Sequence, residues 1–405
     1  MSLEDAASLI AEHLQRQDFV EVYAHHDADG IAAAAIICIA MIRRDGHFRL
    51  RIRHRVSPAE LGGDAAVLLC DIGSSMEHLP AETMVIDHHH PHFNGKYHLN
   101  PRHHGMNGDL ELSASGAAYL VAQQMGENRD LAGLAFLGII GDRQEFTGKN
   151  LEIYNEALAE GVISTGRGVR MPGRNDHERL ISAINPYLHQ ISGDEPAVAG
   201  ILTHAQGENG IDQATLISYI ILGIGPSSTI EAMESIYGDQ YLLDREVIRD
   251  AHTFAAVVDA CGKSGHGGLA ASLCLRSAAG LEEAWERAVD HRLNVIEAIR
   301  SVTTYADTPG FFQVADPSVS SDVADALAFD CEQERPVAVF ARSGDLCHVS
   351  ARATKGIEID IGSVMREIAL SCGGLGGGHG RRAGATIGCG EMERFRNDLY
   401  RMVTV

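Results

Sequence analysis

Acidic and histidine side chains stand together after short apolar segments in the first third of the chain. The first group is His25-His26-Asp27-Ala28-Asp29-Gly30, which follows an apolar run beginning at Phe19. On an extended backbone alternate residues point the same way, so His25, Asp27 and Asp29 could converge on one point. Taken alone, an Asp-x-Asp-Gly sequence is equally typical of a turn or a helix cap, and both interpretations stay open.

Three further groups repeat this arrangement. Asp71 follows the apolar run Val67–Cys70, Asp87-His88-His89 follows Met84–Ile86, and Asp142 follows an apolar helical stretch that ends at Gly141. Carboxylates within a few ångströms of one another repel and raise one another's pKa. A pair of divalent cations removes that cost and explains the imidazoles among the oxygen ligands. One acid at a strand end is usually a cap, whereas four with a histidine cluster favour a metal site.

Mixed carboxylate and imidazole ligands predict two Mn2+ ions, with Mg2+ as the alternative. Two such ions about 3.5–4 Å apart promote in-line attack of water on a phosphoester or phosphoanhydride. This chemistry requires no nucleophile from the protein.

A glycine-rich stretch near the C-terminus is the second feature suited to phosphate chemistry. It contains Gly377, Gly378, His379, Arg381 and Arg382. Consecutive glycines allow backbone N–H groups to approach an oxyanion closely, and arginine suits bidentate contact with phosphate. The alternative interpretation is a flexible loop.

The order of apolar patterns predicts an α/β fold in three segments. In residues 1–150, strands such as Phe19–Ala24, Ala65–Cys70 and Thr83–Ile86 alternate with helical patterns, which predicts a parallel sheet. Ligands of such sheets bind outside the carboxyl ends of the strands. Residues 151–306 read as a mostly helical connecting segment, and residues 307–405 as a smaller C-terminal α/β domain.

Composition limits the possible function classes. The 405 residues carry a formal net charge of −22, which argues against a protein that binds nucleic acid or membranes over its whole surface. A local basic groove is not excluded. The sequence has no signal-peptide pattern, no apolar run long enough for a membrane span and no Cys-x-x-Cys pair. We therefore expect a cytoplasmic protein without a membrane partner.

The ordered motifs of the first 150 residues resemble those of the DHH phosphoesterase superfamily. That pattern is Asp-x-Asp-Gly after the first strand, a lone strand-end Asp, Asp-His-His and a later Gly-Asp. The resemblance implies that Asp27 and Asp29 bind different ions, that Asp71 bridges both, and that His89 faces the scissile phosphate. Some members have a histidine where this chain has Tyr23, so His25 is the expected substitute. The implied metal ligands are His25, Asp27, Asp29, Asp71, His88 and Asp142, and the implied catalytic residues are Asp71, Asp87 and His89, with Asp87 either a ligand or an orienting group.

The last 100 residues resemble the DHH-associated substrate-binding domain. Its Gly-Gly-His-x-x-Ala-Ala-Gly signature matches the glycine-rich stretch, with Arg382 in place of the first alanine. Ser350-Ala-Arg352 resembles the Ser-x-Arg strand of the same domain, whose arginine contacts substrate phosphate. The implied substrate-binding residues are Arg352, Gly377, Gly378, His379, Arg381 and Arg382.

Together the two resemblances imply a RecJ-like exonuclease, of the archaeal RecJ type, that degrades single-stranded DNA or RNA ends to mononucleotides. One alternative is a phosphodiesterase of short oligoribonucleotides, cyclic dinucleotides or 3′-phosphoadenosine. Another is a non-catalytic scaffold of the replicative helicase, which the full set of implied metal ligands disfavours. A helicase partner bound to the middle segment is compatible with activity.

Overall fold

The computed structural model describes residues 2–403 except 64, 77, 332, 334, 358 and 379. Its α-helices are α1 (Leu3–Leu14), α2 (Ala28–Ile42), α3 (Ala114–Met125), α4 (Ala132–Gly141), α5 (Gly148–Ala159), α6 (Asp176–Ile181), α7 (Glu195–His204), α8 (Gln213–Ile224), α9 (Ile230–Ser235), α10 (Ala251–Lys263), α11 (Gly267–Cys274), α12 (Leu281–Arg300), α13 (Ser320–Asp325), α14 (Ile361–Ser371) and α15 (Met392–Val403). Its strands are β1 (Phe19–His25), β2 (His47–Arg53), β3 (Ala66–Cys70), β4 (Met84–Ile86), β5 (His98–Leu99), β6 (Ile163–Val169), β7 (Gln206–Gly207), β8 (Gly210–Ile211), β9 (Tyr237–Leu243), β10 (Thr303–Thr304), β11 (Phe311–Val314), β12 (Val337–Ser343), β13 (Leu346–Arg352), β14 (Leu375–Gly378) and β15 (Arg382–Gly388).

These elements form two units. The first contains Met1–Gly166 and Gln240–Ala288, and the second contains Arg167–Asp239 and Val289–Val405. The predicted α/β class is confirmed, with a parallel sheet near the N-terminus, helices in the middle of the chain and a mixed sheet near the C-terminus. The domain boundaries predicted after residues 150 and 306 stay predictions.

The first unit is built on a parallel five-stranded sheet in the order β2-β1-β3-β4-β5. Strand β2 lies on one side of β1, and the next strand, β3, lies on the other side. The strand order therefore reverses beside β1. Ala24 pairs with Cys70, and Cys70 pairs with Ile86. The residues that follow these strands therefore emerge at the same edge, at the reversal point where parallel sheets bind ligands.

Helix α2 lies at the centre of the first unit. Residues 28–41 are all buried, which is the behaviour expected of a helix that is apolar on every side. Its alanines allow α3 and α4 to pack closely against it. Despite such apolar helices, the described part of the chain contains none that is both long and apolar enough to cross a membrane.

The second unit contains a six-stranded mixed sheet in the order β10-β11-β12-β13-β15-β14. Strands β11 and β12 are parallel, and the other pairs are antiparallel. Residues of α14 and α15, including Met365, Phe395 and Leu399, form one core with this sheet. A separate core gathers apolar residues of helices α6 to α9, such as Leu180, Val198 and Ile220.

The sequence patterns miss several strands, including β6, β9 and β14. Strands β6 and β9 lie in the segment predicted to be mostly helical, and each contains glycine, which weakens strand signals. The glycine-rich stretch forms strand β14 at the edge of the sheet, where Gly376 pairs with Ala385 and Gly377 with Gly384. The glycine-rich stretch is therefore a strand that is hydrogen-bonded on one side to β15, and not a flexible loop.

Candidate metal centre

Asp27 is a helix cap whose second carboxylate oxygen faces the metal-ligand candidates. It is the N-cap of α2, and its Oδ1 accepts a hydrogen bond of 3.0 Å from the backbone N–H of Gly30. Its other oxygen, Oδ2, lies 2.6 Å from Nδ1 of His25. The cap therefore fixes the orientation of a carboxylate that still faces the neighbouring imidazole.

Asp71 is the central residue of the cluster. It follows β3 directly, has a left-handed backbone with φ of 60° and is 1% exposed. Neither carboxylate oxygen accepts a well-formed hydrogen bond from the described residues. The surrounding nitrogens are Nδ1 of His25 at 3.2 Å, Nε2 of His88 at 3.3 Å and Nδ1 of His89 at 3.6 Å. Burying a carboxylate in this way is costly unless a cation compensates it, and the donor set fits a divalent ion.

Asp29 is fixed by the beginning of a neighbouring helix. Its two oxygens accept hydrogen bonds from the backbone N–H groups of Ala114 at 2.7 Å and Ser115 at 2.9 Å, in the first turn of α3. The side chain is fully buried. The partial positive charge at a helix N-terminus stabilises an anion, so α3 offsets part of the cost of burying this carboxyl group.

His88 joins Asp29 and Asp142 into a second ligand group. Its Nε2 lies 3.1 Å from Oδ2 of Asp142 and 4.0 Å from Oδ2 of Asp29. Its Nδ1 lies 2.6 Å from the carbonyl oxygen of Gly108, which also accepts a hydrogen bond of 2.9 Å from Gln144. An Nδ1–H that donates to Gly108 directs Nε2 towards the carboxylates, which is the usual arrangement of a ligating histidine.

Asp87 is an orienting group in this structure. Its Oδ1 lies 2.7 Å from Nδ1 of His89 and accepts from the His89 backbone N–H at 3.1 Å. Its Oδ2 accepts from the backbone N–H of Ser74 at 2.9 Å. Burial alone would raise the Asp87 pKa, but the imidazoles of His89 and His88 hold it well below its usual value. Both oxygens are engaged, so Asp87 fixes His89, whose side chain is 34% exposed.

The electrostatics of the cluster are dominated by crowded negative charge. Burial, and then the charges of Asp142 and Asp71, raise the pKa of Asp29 to about 8. Burial and the charge of Asp27 raise the pKa of Asp71. Burial would lower the pKa of His88, but Asp142 and Asp71 raise it well above its usual value. A bound cation would reverse these preferences, since it favours carboxylates and neutral imidazoles.

The structure thus brings every predicted residue of the first unit into one cluster. Two ligand groups have donor atoms within 4.8 Å of one another, namely His25, Asp27 and Asp71, and Asp29, His88 and Asp142. Sequence reasoning missed Gly108 and Gln144, which position His88. The only available signal was the place of Gln144 two residues after Asp142.

The predicted substrate-binding arginines meet in the second unit. Arg352 is 4% exposed, and its Nε donates to the Asp325 carboxylate. Its Nη2 donates to Oγ of Ser321 at 2.8 Å and its Nη1 to the carbonyl of Ala351 at 2.9 Å. Nε of Arg382 donates to the same oxygen of Asp325 at 3.2 Å. Protein groups therefore already engage most of the Arg352 donors.

Around these arginines lie an aromatic ring and the edge strand. The guanidinium groups of Arg381 and Arg382 stand 5.2 Å and 4.6 Å from the centre of the Phe329 ring. Gly377 and Gly378 lie in β14, beside β15. A Cβ atom on Gly378 would lie 2.3 Å from the carbonyl oxygen of Arg382, so only glycine fits there. His379 lies outside the described residues.

Two family descriptions match the chain. Residues 20–139 match the DHH family, N-terminal domain, and residues 307–404 match the DHHA1 domain. The first covers β1, β3, β4 and the residues of the cluster up to His89, and the second covers the arginines and β14.

Relatives extend over nearly the whole chain. An uncharacterized protein of Methanocaldococcus jannaschii, MJ0831, is 25% identical over 94% of this chain and 92% of its own length. Among solved structures, RecJ of Thermus thermophilus in complex with Mn2+ is 19% identical, with a TM-score of 0.61. That match covers 99% of this chain but 54% of RecJ. CDC45 of Entamoeba histolytica is 10% identical, with a TM-score of 0.61, and 100% of this chain and 99% of that chain are covered. At these identities the two solved structures share a fold with this chain.

The raised pKa of Asp29 predicts proton release on metal binding. Because Asp29 holds a proton below about pH 8, a divalent ion must displace that proton at neutral pH. We expect Mn2+ affinity to rise between pH 6 and 8, by about tenfold per pH unit for each proton displaced. Calorimetry in buffers of different ionisation enthalpy measures the protons released. Binding at pH 7 with no net proton release would contradict this account.

The lack of space beside Gly138 indicates that Asp29 is tightly confined. A Cβ atom at Gly138 would lie 2.1 Å from both Oδ1 of Asp29 and Oγ of Ser115. Gly138→Ala should weaken Mn2+ binding by about 10–100-fold and lower the free energy of unfolding by about 1–3 kcal/mol. The matched control is Gly133→Ala in the same helix, where the nearest atoms lie at 3.4 Å. Equal Mn2+ affinities for the two variants would refute the proposed confinement.

Proposed function

We propose that this chain is a RecJ-like exonuclease of the DHH superfamily of metal-dependent phosphoesterases, because residues 20–139 and 307–404 match the DHH and DHHA1 domain descriptions. Its substrates would be single-stranded DNA or RNA ends, hydrolysed to mononucleotides. One observation carries the proposal: the buried Asp71 carboxylate belongs to one group of metal-binding side chains with His25 and Asp27 and to another with His88 and His89, and its oxygens accept no well-formed hydrogen bond from the described residues.

Each ligand group would hold one ion, with Asp71 common to both. His25 and Asp27 would complete the first set, and Asp29, His88 and Asp142 the second. The carboxylate-rich donor set supports Mn2+, with Mg2+ as an alternative. When bound, such ions would polarise a phosphoryl oxygen and increase the acidity of a water molecule.

His89 would act on the substrate directly. Asp87 accepts from its Nδ1–H, and the ring is partly exposed, so His89 would donate from Nε2 to a phosphate oxygen. Although burial lowers the pKa of His89, the charge of Asp87 raises it above its usual value. This upward shift of the pKa favours the protonated ring, which would neutralise charge that develops on the phosphate.

The arginines of the second unit would bind substrate phosphates in two different ways. Arg382 has a side chain 35% exposed and Arg352 one 5% exposed. A phosphate could reach Arg352 only by displacing protein acceptors, so its main contribution would be to fix Asp325 and, through it, Arg382. Arg381 and Arg382, beside the Phe329 ring, would make the phosphate contacts together with Gly377 and Gly378, and a phosphate contact from His379 stays a prediction.

A phosphodiesterase of short substrates is the second candidate. Most donors of Arg352 are engaged, which leaves two arginines to hold phosphates. Two arginines suit a substrate with few phosphates, such as a dinucleotide or a short oligoribonucleotide, because a guanidinium group can bind a phosphate through two parallel hydrogen bonds. A replicative-helicase partner on the middle segment and a cytoplasmic location remain predictions.

An assay of the purified full chain with Mn2+ distinguishes these functions. Its substrates are 5′- and 3′-labelled single-stranded DNA and RNA of several lengths, a linear dinucleotide and a cyclic dinucleotide. Stepwise release of mononucleotides from long strands supports the exonuclease. Cleavage confined to dinucleotides supports the second candidate, and no hydrolysis of any substrate would overturn both.

Replacing the shared carboxylate should abolish activity. Asp71→Asn keeps the side-chain shape and is compatible with the left-handed backbone. We expect kcat to fall by at least about 10³-fold, which is roughly 4 kcal/mol. The control is Asp18→Asn, which changes an exposed aspartate. Wild-type turnover by Asp71→Asn with Mn2+ would exclude the shared-ligand arrangement.

The two arginines should have separable effects. Arg382→Ala should raise KM by about tenfold with little change in kcat, because it removes binding made equally in the ground and transition states. Arg352→Ala should also lower the free energy of unfolding, by about 1–3 kcal/mol, since it removes the buried partner of Asp325, which keeps its hydrogen bond from Arg382. Steady-state kinetics and urea unfolding measure both effects.

Arg401→Ala is the control for these arginines, since that side chain is 80% exposed. An unchanged KM for Arg382→Ala would remove this arginine from the proposed binding site. An unfolding free energy of Arg352→Ala equal to that of Arg401→Ala would show that Arg352 does not stabilise the unit.

A further inference from the structure

Three histidines lie together beside the proposed first ion position: His25, His26 and His54. Each offers a ring nitrogen within 4.8 Å of those of the other two. The ring centres of His25 and His26 are 4.5 Å apart, and those of His26 and His54 are 4.7 Å apart. Nδ1 of His26 is buried and has no hydrogen-bond partner among the described residues.

Strand register explains why distant parts of the sequence meet here. Strands β1 and β2 are parallel, and their last pair is His25 with Arg53. The next residues, His26 and His54, therefore leave the sheet side by side at its carboxyl edge. Helix α10 also packs at this edge, because a Cβ atom on Gly262 would lie 1.6 Å from the carbonyl oxygen of His26. The backbone of His26 is thus closely confined.

We propose that His25, His26 and His54 form an imidazole-only binding site for a late transition metal ion of the zinc class. Its donors differ from those of the carboxylate-rich pair, because imidazole suits zinc, copper and nickel, whereas carboxylates suit magnesium and manganese. Three histidines with an open fourth position are an established zinc arrangement. Small side-chain rotations would bring the three nitrogens to the ligand distance of about 2.0–2.1 Å.

His25 belongs to two ligand groups and connects them. Its Nδ1 faces Asp27 and Asp71, at 2.6 Å and 3.2 Å, so Nε2 is the nitrogen that would serve the histidine group. Lys263 is the neighbouring cation that could oppose a metal ion, but it forms an ion pair of 2.5 Å with Asp259. Zinc bound here would restrain His25 and so affect the first ion of the adjacent pair.

The number of zinc ions bound per full-length chain tests the site independently of hydrolysis. Wild type and His54→Ala are saturated with Zn2+, freed of excess ion by gel filtration and measured by mass spectrometry. We expect His54→Ala to hold one zinc ion fewer per chain, while the Mn2+ content of protein loaded with Mn2+ alone is unchanged. The control is His47→Ala, which changes an exposed histidine at the other end of β2.

Visible absorption of Co2+-loaded protein gives a second readout. A tetrahedral Co2+ signal present in wild type and His47→Ala, and absent in His54→Ala and His26→Gln, supports the site. Equal zinc contents in wild type and His54→Ala would overturn it. So would an equal loss of zinc in His47→Ala. Because these measurements involve no substrate, the zinc site can be supported even if the exonuclease proposal fails.

Discussion

The structure depends on holding several buried carboxylates within a few ångströms of one another. Asp29 and Asp71 are almost inaccessible to solvent, and repulsion among such groups would separate them in a flexible chain. The parallel sheet places its strand ends at one edge, and the first turn of α3 stabilises Asp29. The fold therefore maintains an unfavourable distribution of charge that becomes favourable only with cations.

Much of this arrangement could be predicted because it follows regular patterns. The strands predicted at Phe19–Ala24, Ala65–Cys70 and Thr83–Ile86 match β1, β3 and β4 to within one residue at each end. Asp27, Asp71 and Asp87 follow apolar strands, so a parallel sheet is enough to bring these three acids together. Supporting contacts could not be predicted in this way. Gly108 lies in a loop with no periodic pattern, and its link to His88 depends on tertiary packing alone.

Sequence similarity also leaves open how a matched residue is used. Arg352 stands where the related strand carries a phosphate-binding arginine, yet Asp325, Ser321 and Ala351 engage its donors. The identity of an arginine can be read from a sequence, whereas the acceptors around it depend on the packing of α13 against β13. The structure of the glycine-rich stretch could not be predicted for the same reason. It forms a strand because it pairs with β15.

The burial of α2 on every side restricts how this cluster of acidic and histidine residues can evolve. Alanines set the spacing between α2 and its neighbours, so the positions of Asp27 and Asp29 depend on side chains that touch no ligand. A leucine in their place would push α3 outward and separate Asp29 from its two amide donors. Changes on this helix should therefore accompany changes on α3 and α4, independently of which substrate a descendant comes to cleave.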